Sequence, residues 1–201
     1  MSLNKARPEA IDVLLTRRSV KTRDMIAPGP DAPALARILE AAMRVPDHGK
    51  LTPWRFFVFE GEGQEALSAI IIRAFQQENP DCTSAQLAKM EGFARQAPLL
   101  VVLASCPSDA KPIALWEQQL SAGASAMAML MAAHMLGYVG QWLTDWPAYS
   151  PAVHSHLGLG SGDRIAGFLF FGSAAAQPTE RPRPNIADLV RFFGTEADEG
   201  E

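Results

Sequence analysis

Three observations predict that this chain mixes helices and strands around a well-buried centre. Pro98 to Ser105 is a nearly continuous apolar run, the pattern of a central strand covered on both faces. Gln118 to Thr144 contains no Asp, Glu, Lys or Arg and is rich in Ala and Gly, which reads as a fully buried helix followed by a strand. Trp54 to Glu60 and Arg164 to Gly172 concentrate aromatic and branched residues, as further strands do. With 201 residues, 48% apolar and 20% charged, the chain suits one soluble domain. We set it at residues 1–195, with an acidic disordered tail over 196–201.

The elements follow in order. Pro8 to Thr16 predicts a short helix with Ile11, Leu14 and Leu15 on one face. Met25 to Pro33 is a Pro- and Gly-rich loop, and Asp31 is placed to cap a helix reaching about Met43. After the strand at Trp54, Gly61 to Gly63 turns the chain into a helix ending near Gln77, and a shorter one covers Ser84 to Arg95. The long helix runs from Ile113 to Leu136, before a strand near Tyr138 to Leu143. Ser150 to Leu157 is helical, Pro178 to Pro184 continues neither element, and the apolar Ile186 to Phe193 needs a surface to cover.

Composition excludes several classes. A net charge of −4 and a pI of about 5.6 do not suit a general nucleic-acid binder. The charge-free stretch is long enough to span a bilayer, but Gln118, Gln119, Ser121, Ser125, His134 and Gln141 dilute it. Met1 to Glu9 lacks the apolar run of a signal peptide, and charged residues follow Arg17-Arg18 where an export signal needs apolar ones. Cys82 and Cys106 form no close-spaced motif, and a reducing cytoplasm suits them.

Gly61-Glu62-Gly63-Gln64-Glu65-Ala66 matches a dinucleotide-binding fingerprint. Glu60, Glu62 and Glu65 would surround a pyrophosphate with like charge, so we read a strand-to-helix turn. Gly158 to Gly162 precedes a strand rather than a helix and is a flexible turn. His154 and His156 lack further ligands at metal-site spacing, and His134 and the methionines of the long helix read as packing residues.

Arg17, Arg18, Lys21 and Arg23 place four cations within seven positions of an acidic chain. Two guanidinium forks beside the Ser19 hydroxyl suit a phosphate; a solvated helix end would also favour cations there. A second segment is Ala42-Met43-Arg44-Val45-Pro46-Asp47-His48-Gly49-Lys50-Leu51-Thr52-Pro53-Trp54-Arg55-Phe56-Phe57-Val58. On its own, His48 reads as a surface-loop histidine.

Together, Arg-Arg-Ser near the N-terminus, Pro-Asp-His and Pro-Trp-x-Phe-x-Val some thirty residues on resemble the FMN-dependent nitroreductase family, in its small branch with that Pro-Asp-His motif. The resemblance continues through Trp116-Glu117-Gln118, the helix at Ser121 to Met135, Gly140-Gln141-Trp142 and Gly167 to Gly172. It implies an α+β nitroreductase-like fold, a central mixed β-sheet flanked by helices, and a homodimer whose cleft holds FMN.

By the same resemblance, Arg17 and Ser19 would bind the cofactor's phosphate and ribityl chain, with Arg18 beside them and Lys21 at the pyrimidine edge. Trp142, Leu143 and Thr144 would line the same side, Arg183 would approach the phosphate, and Arg44 and His48 would come from the partner subunit. NAD(P)H would reduce the flavin in a ping-pong cycle, with nitroaromatics or quinones as acceptors and no protein acid, base or nucleophile required. A protein that binds FMN for storage or sensing would carry the same phosphate site.

Overall fold

A computed structural model of the chain describes Leu3 and residues 5 to 194. Its helices are α1 (Ile11–Thr16), α2 (Ala32–Ala42), α3 (Glu62–Glu78), α4 (Ser84–Glu91), α5 (Leu115–Met135) and α6 (Pro151–His156). Its strands are β1 (Met25–Ile26), β2 (Trp54–Phe59), β3 (Leu99–Ser105), β4 (Val139–Leu143) and β5 (Arg164–Ala174). The acidic tail predicted over 196–201 lies outside the described residues.

β5 organises the sheet. It pairs antiparallel with β3 on one side, Leu100 opposite Phe170, and with β4 on the other, Leu143 opposite Phe168. β2 adds antiparallel to β3 with Phe56 opposite Leu103, and β1 pairs with Ser173 and Ala174. Because β3 and β4 both oppose β5, they run in the same direction, joined by α5 with β5 inserted between them. Adjacent pairs are therefore all antiparallel among the described residues, and strands run parallel only as second neighbours.

Strand alternation sends side chains to opposite faces and makes two cores. On one face Leu100, Val102, Phe168 and Phe170 pack with Leu67, Ile71 and Phe75 of α3 and with Phe93. Phe93 stands edge-on to Phe168, centroids 4.9 Å apart, a favoured aromatic geometry. On the other face Leu99, Val101, Leu103, Leu169 and Phe171 meet Ile38 of α2 and Ala122, Ala126, Met129 and Ala133 of α5. Every residue of β3 is buried, which accounts for its unbroken apolar run.

Local signals acted as expected. The Asp31 carboxylate accepts from the Ala34 N–H at 2.9 Å and starts α2. Gly61, at φ +46°, makes the turn into α3, and Glu65 pairs with Arg95 at 3.1 Å. The nucleotide-like motif is thus a turn with an acidic first helical turn. No helix among the described residues is long and apolar enough to cross a membrane.

Two apolar stretches that the sequence singled out lack cover among the described residues. Ile11, Leu14 and Leu15 are exposed on α1. Ile186, Leu189, Phe192 and Phe193 are exposed beyond β5, where Ile186–Asp188 forms only a single tight turn.

Candidate functional site

The basic segment leaves α1 at Thr16 in extended form. Val20 and Thr22 are buried while Ser19 and Lys21 are exposed. This period of two puts Arg17, Ser19 and Lys21 on the outward side, where Arg17 Nη1 lies 3.3 Å from Ser19 Oγ. Arg18 turns the other way. Its Nε donates to the Thr179 carbonyl at 3.0 Å, and its side chain is only 18% exposed.

The Pro-rich segment after β5 therefore folds back over the basic one. Between them is a cleft of about 350 Å³ lined by Arg18, Ser19, Lys21, Gln177, Pro178 and Thr179. Arg183 joins from above, with Nη2 3.5 Å from the Arg17 carbonyl and 3.1 Å from a Glu180 carboxylate oxygen. Arg18 lies 3.8 Å from the same oxygen. The Arg181 backbone N–H, and then Arg183 and Arg18, hold the Glu180 carboxyl below its ordinary range. Arg18, Ser19 and Lys21 thus line the cleft, and Arg17 and Arg183 lie beside it.

Two glutamines fix that place to the sheet. Gln141 of β4 accepts from the Thr22 N–H at 2.8 Å, and Thr22 Oγ1 donates to Gln96 at 2.7 Å. Trp142, the next residue of β4, turns to the opposite face, and its indole N–H donates to the Ala166 carbonyl at 3.0 Å. A side chain at Gly167 would collide with that indole. Leu143 and Thr144 line an adjoining cleft of about 420 Å³ with Gln96, Lys89 and Asp145.

Arg44 and His48 lie elsewhere. The basic cleft opens beyond Ala174, at the C-terminal end of β5. The 46–53 loop enters β2 at Trp54, which pairs with Ser105, which in turn pairs with Arg164 at the start of β5. At 3.2–3.4 Å per residue, eleven strand residues separate the two places by roughly 30 Å. Within one chain, His48 and Arg17 do not share a site.

The loop carrying His48 is tightly held. Asp47 accepts from the N–H groups of Leu51 at 3.0 Å and Thr52 at 2.9 Å. Ser121 Oγ of α5 donates to the Pro46 carbonyl at 2.6 Å and accepts from the Trp54 indole at 3.0 Å. Lys111 donates to the Gly49 carbonyl. Gly49, Lys50 and Thr52 all have positive φ, at 75°, 57° and 48°, and only the first has no side chain to strain. His48 Nδ1 meets Glu117 Oε2 at 2.7 Å.

Sequence reasoning missed Gln96, Glu117, Gln141 and Glu180 as supports of these places. Glu117 and Gln141 fall in segments that carried the family resemblance, but their partners are 69 and 119 positions away. No local pattern reports such pairs. His154 contacts the Ala148 carbonyl at 2.8 Å, and no metal-binding cluster of His, Cys, Asp and Glu exists among the described residues.

Comparison with known proteins agrees with this architecture. The model of the Nitroreductase family matches residues 14–173. YdjA of Escherichia coli (strain K12), provisionally named an NAD(P)H nitroreductase, is 38% identical over 187 residues, covering 92% of this chain and all of YdjA. A nitroreductase-like family protein from Bacillus cereus superposes with a TM-score of 0.78 at 22% identity, over 97% of this chain and 100% of its own. The FMN and NADPH-dependent nitroreductase NfnB from sphigopyxis sp. strain HMH gives a TM-score of 0.71 at 21% identity, over 92% and 99%. From the family match and the extent of the YdjA similarity together, this chain belongs to the nitroreductase family.

Proposed function

We propose that the chain, as one domain over residues 1–195, is an FMN-dependent oxidoreductase of the cytoplasm. It takes electrons from NAD(P)H and delivers them to nitroaromatic or quinone-type acceptors by a ping-pong cycle, in a cleft shared by two copies. The observation that carries the reading is a basic cleft lined by Arg18, Ser19 and Lys21, with Arg17 and Arg183 beside it, in a nitroreductase-family chain. That donor set fits a phosphate: three planar guanidinium groups, one ammonium and a hydroxyl. NfnB, by name FMN- and NADPH-dependent, and YdjA, by provisional name NAD(P)H-dependent, support the choice of cofactor and donor.

In this reading Arg17, Ser19 and Arg183 hold the phosphate and ribityl chain, and Lys21 reaches the pyrimidine edge. Leu143 and Thr144 line the cofactor's side, and Trp142, whose indole turns to the other face, offers only its backbone there. Arg44 and His48 of the second copy complete the cleft, which accounts for their distance from Arg17 within one chain. The uncovered α1 face and Ile186 to Phe193 would be buried in the same homodimer. FMN, when bound, supplies the hydride-accepting and electron-donating chemistry. The chain's own residues bind it, orient it and leave one open side for donor and acceptor in turn.

The test is spectral. Purified protein should be yellow and release FMN rather than FAD on acid treatment. Anaerobic NADH or NADPH should bleach it, and an added quinone should restore the colour. Flavin that binds but is bleached by neither nucleotide would favour a storage or sensing protein. Protein that stays colourless after incubation with FMN would remove the reading.

A further inference from the structure

Deepening the proposed function, and resting on its assignment of His48 as a cofactor contact, we infer that Glu117 is the positioning residue for His48. Its carboxylate fixes the ring through Nδ1 at 2.7 Å. Nε2 has no hydrogen-bond partner among the described residues and remains the atom for the cofactor.

Both side chains of this pair are exposed, 67% for His48 and 49% for Glu117. Exposed ion pairs contribute little to folding, because water screens them and ordering two side chains costs entropy. The fold therefore has little need of this contact for its own sake. The backbone around His48, by contrast, is already fixed by Asp47, Ser121 and Lys111. A side chain at Gly49 would collide with Ile113. What remains free is rotation of the imidazole, and Glu117 stops it.

Glu117 is well placed for this. It lies in the first turn of α5, one turn from Ser121, which holds Pro46. The same helix therefore fixes the loop's backbone and its histidine. Leu115, Trp116 and Leu120 are exposed on the same end of α5. Cover by a second copy would exclude water from the His48–Glu117 pair and strengthen it. Around metal-bound histidines, supporting partners of this kind, which touch no ligand themselves, change metal affinity or activity by about tenfold or more when removed, and the same order is expected here.

The test measures FMN affinity of the dimeric apoprotein by quenching of flavin fluorescence. It uses Glu117→Ala, Glu117→Gln and His48→Ala, and Glu117→Ala combined with His48→Ala. Glu117→Ala should weaken FMN about tenfold and leave the thermal midpoint of the apoprotein nearly unchanged. Glu117→Gln keeps the reach and an acceptor oxygen and should recover part of the loss. In the His48→Ala background, removing Glu117 should add nothing, since residues acting through one contact are not additive. Full additivity, or weakened binding in His48→Ala beside normal binding in Glu117→Ala, would overturn the inference. Normal binding in His48→Ala would instead remove the His48 assignment itself, and the inference with it. If Glu117→Ala does not fold, Glu117→Gln alone and combined with His48→Ala decides in the same way.

Discussion

The two ends of the sheet are built on opposite plans. At the basic end, Arg18, Arg183 and Glu180 meet near the surface; Arg18 donates to the Thr179 carbonyl of the Pro-rich strap, and Arg183 of that strap donates to the Arg17 carbonyl. At the histidine end, the loop is anchored to the core through Trp54, 7% exposed, and Ser121, 6% exposed. One end offers unspent charge on adjustable side chains. The other offers a rigid backbone with strain at Lys50 and Thr52. The proposed shared cleft would need both: charge to attract an anion, and a fixed wall against which to orient it.

The plans should fail differently, and the largest effect lies at the rigid end. Trp54→Ala removes a buried aromatic anchor and should cost about 3–5 kcal/mol of stability, the range for such truncations. Urea unfolding measures it. Ser121→Ala leaves the Trp54 indole N–H without its partner and should cost about 1–3 kcal/mol. If instead Ser121→Ala left stability untouched, the loop would not be anchored through α5.

At the basic end, Arg17→Ala should leave stability nearly intact and weaken FMN by about 2–5 kcal/mol, as for loss of one partner from a bound charge pair. Riboflavin, which lacks the phosphate, should bind almost as before. Equal losses for both ligands would place Arg17 away from the phosphate. A mixed dimer sharpens the comparison. Pairing an Arg17→Ala chain with a His48→Ala chain makes one doubly damaged and one intact cleft if each cleft draws on both copies. Half the flavin sites should then bind normally. Two equally weakened sites would show that both residues serve the same chain's site.

These ends were unequally legible in the sequence. Four cations within seven residues are a local signal, and Arg18, Ser19 and Lys21 of that segment line one cleft. The strands β2, β3 and β5 were equally local, each an apolar or aromatic run of the right length. β1 was not. Its two residues, Met25 and Ile26, are a strand only because Ala174 and Ser173 lie opposite, and a Pro- and Gly-rich segment reads as loop. The anchoring of the His48 loop is also long-range, through Ser121 and Glu117. Periodicity marks a residue's face, not its partner some seventy positions away.

A smaller effect is expected at Glu180. Its carboxylate competes with any anion for Arg18 and Arg183, so Glu180→Gln should tighten FMN binding a few-fold, within the modest scale of exposed ion pairs. Weakened binding would make Glu180 an aligner of the arginines instead. Since the folded carboxyl titrates below its ordinary value, its contribution to stability is present at neutral pH. It is lost progressively as pH falls from the ordinary carboxylate value through that lowered one. Glu180→Gln should flatten this part of the acid-unfolding profile.

The smallest effect on the fold concerns Cys106, which belongs to the rigid end. Its backbone N–H donates to the Pro53 carbonyl at 2.9 Å, just where the histidine loop closes. Its thiol lines a cleft of about 520 Å³ with Leu51, Arg55 and Asp163. Burial first, then the Asp163 charge and its hydrogen bond, push the thiol up to about 11 from 9, against a smaller opposing pull from Arg55. Reagents can reach the cleft, yet two pKa units leave about 100-fold less thiolate at neutral pH than an ordinary cysteine would have. Iodoacetamide should therefore modify Cys106 slowly at pH 8 and faster as pH approaches 11. The folded state holds the proton that the unfolded state gives up, so stability should fall slightly between pH 9 and 11. Asp163→Asn removes the second cause but not the first, and should speed alkylation at pH 8 without matching a free thiol. Rapid modification of the parent protein at pH 8 would mean that the rigid end is wetter than its packing implies. The contrast between a fixed wall anchored in the core and an adjustable, charged one would then weaken.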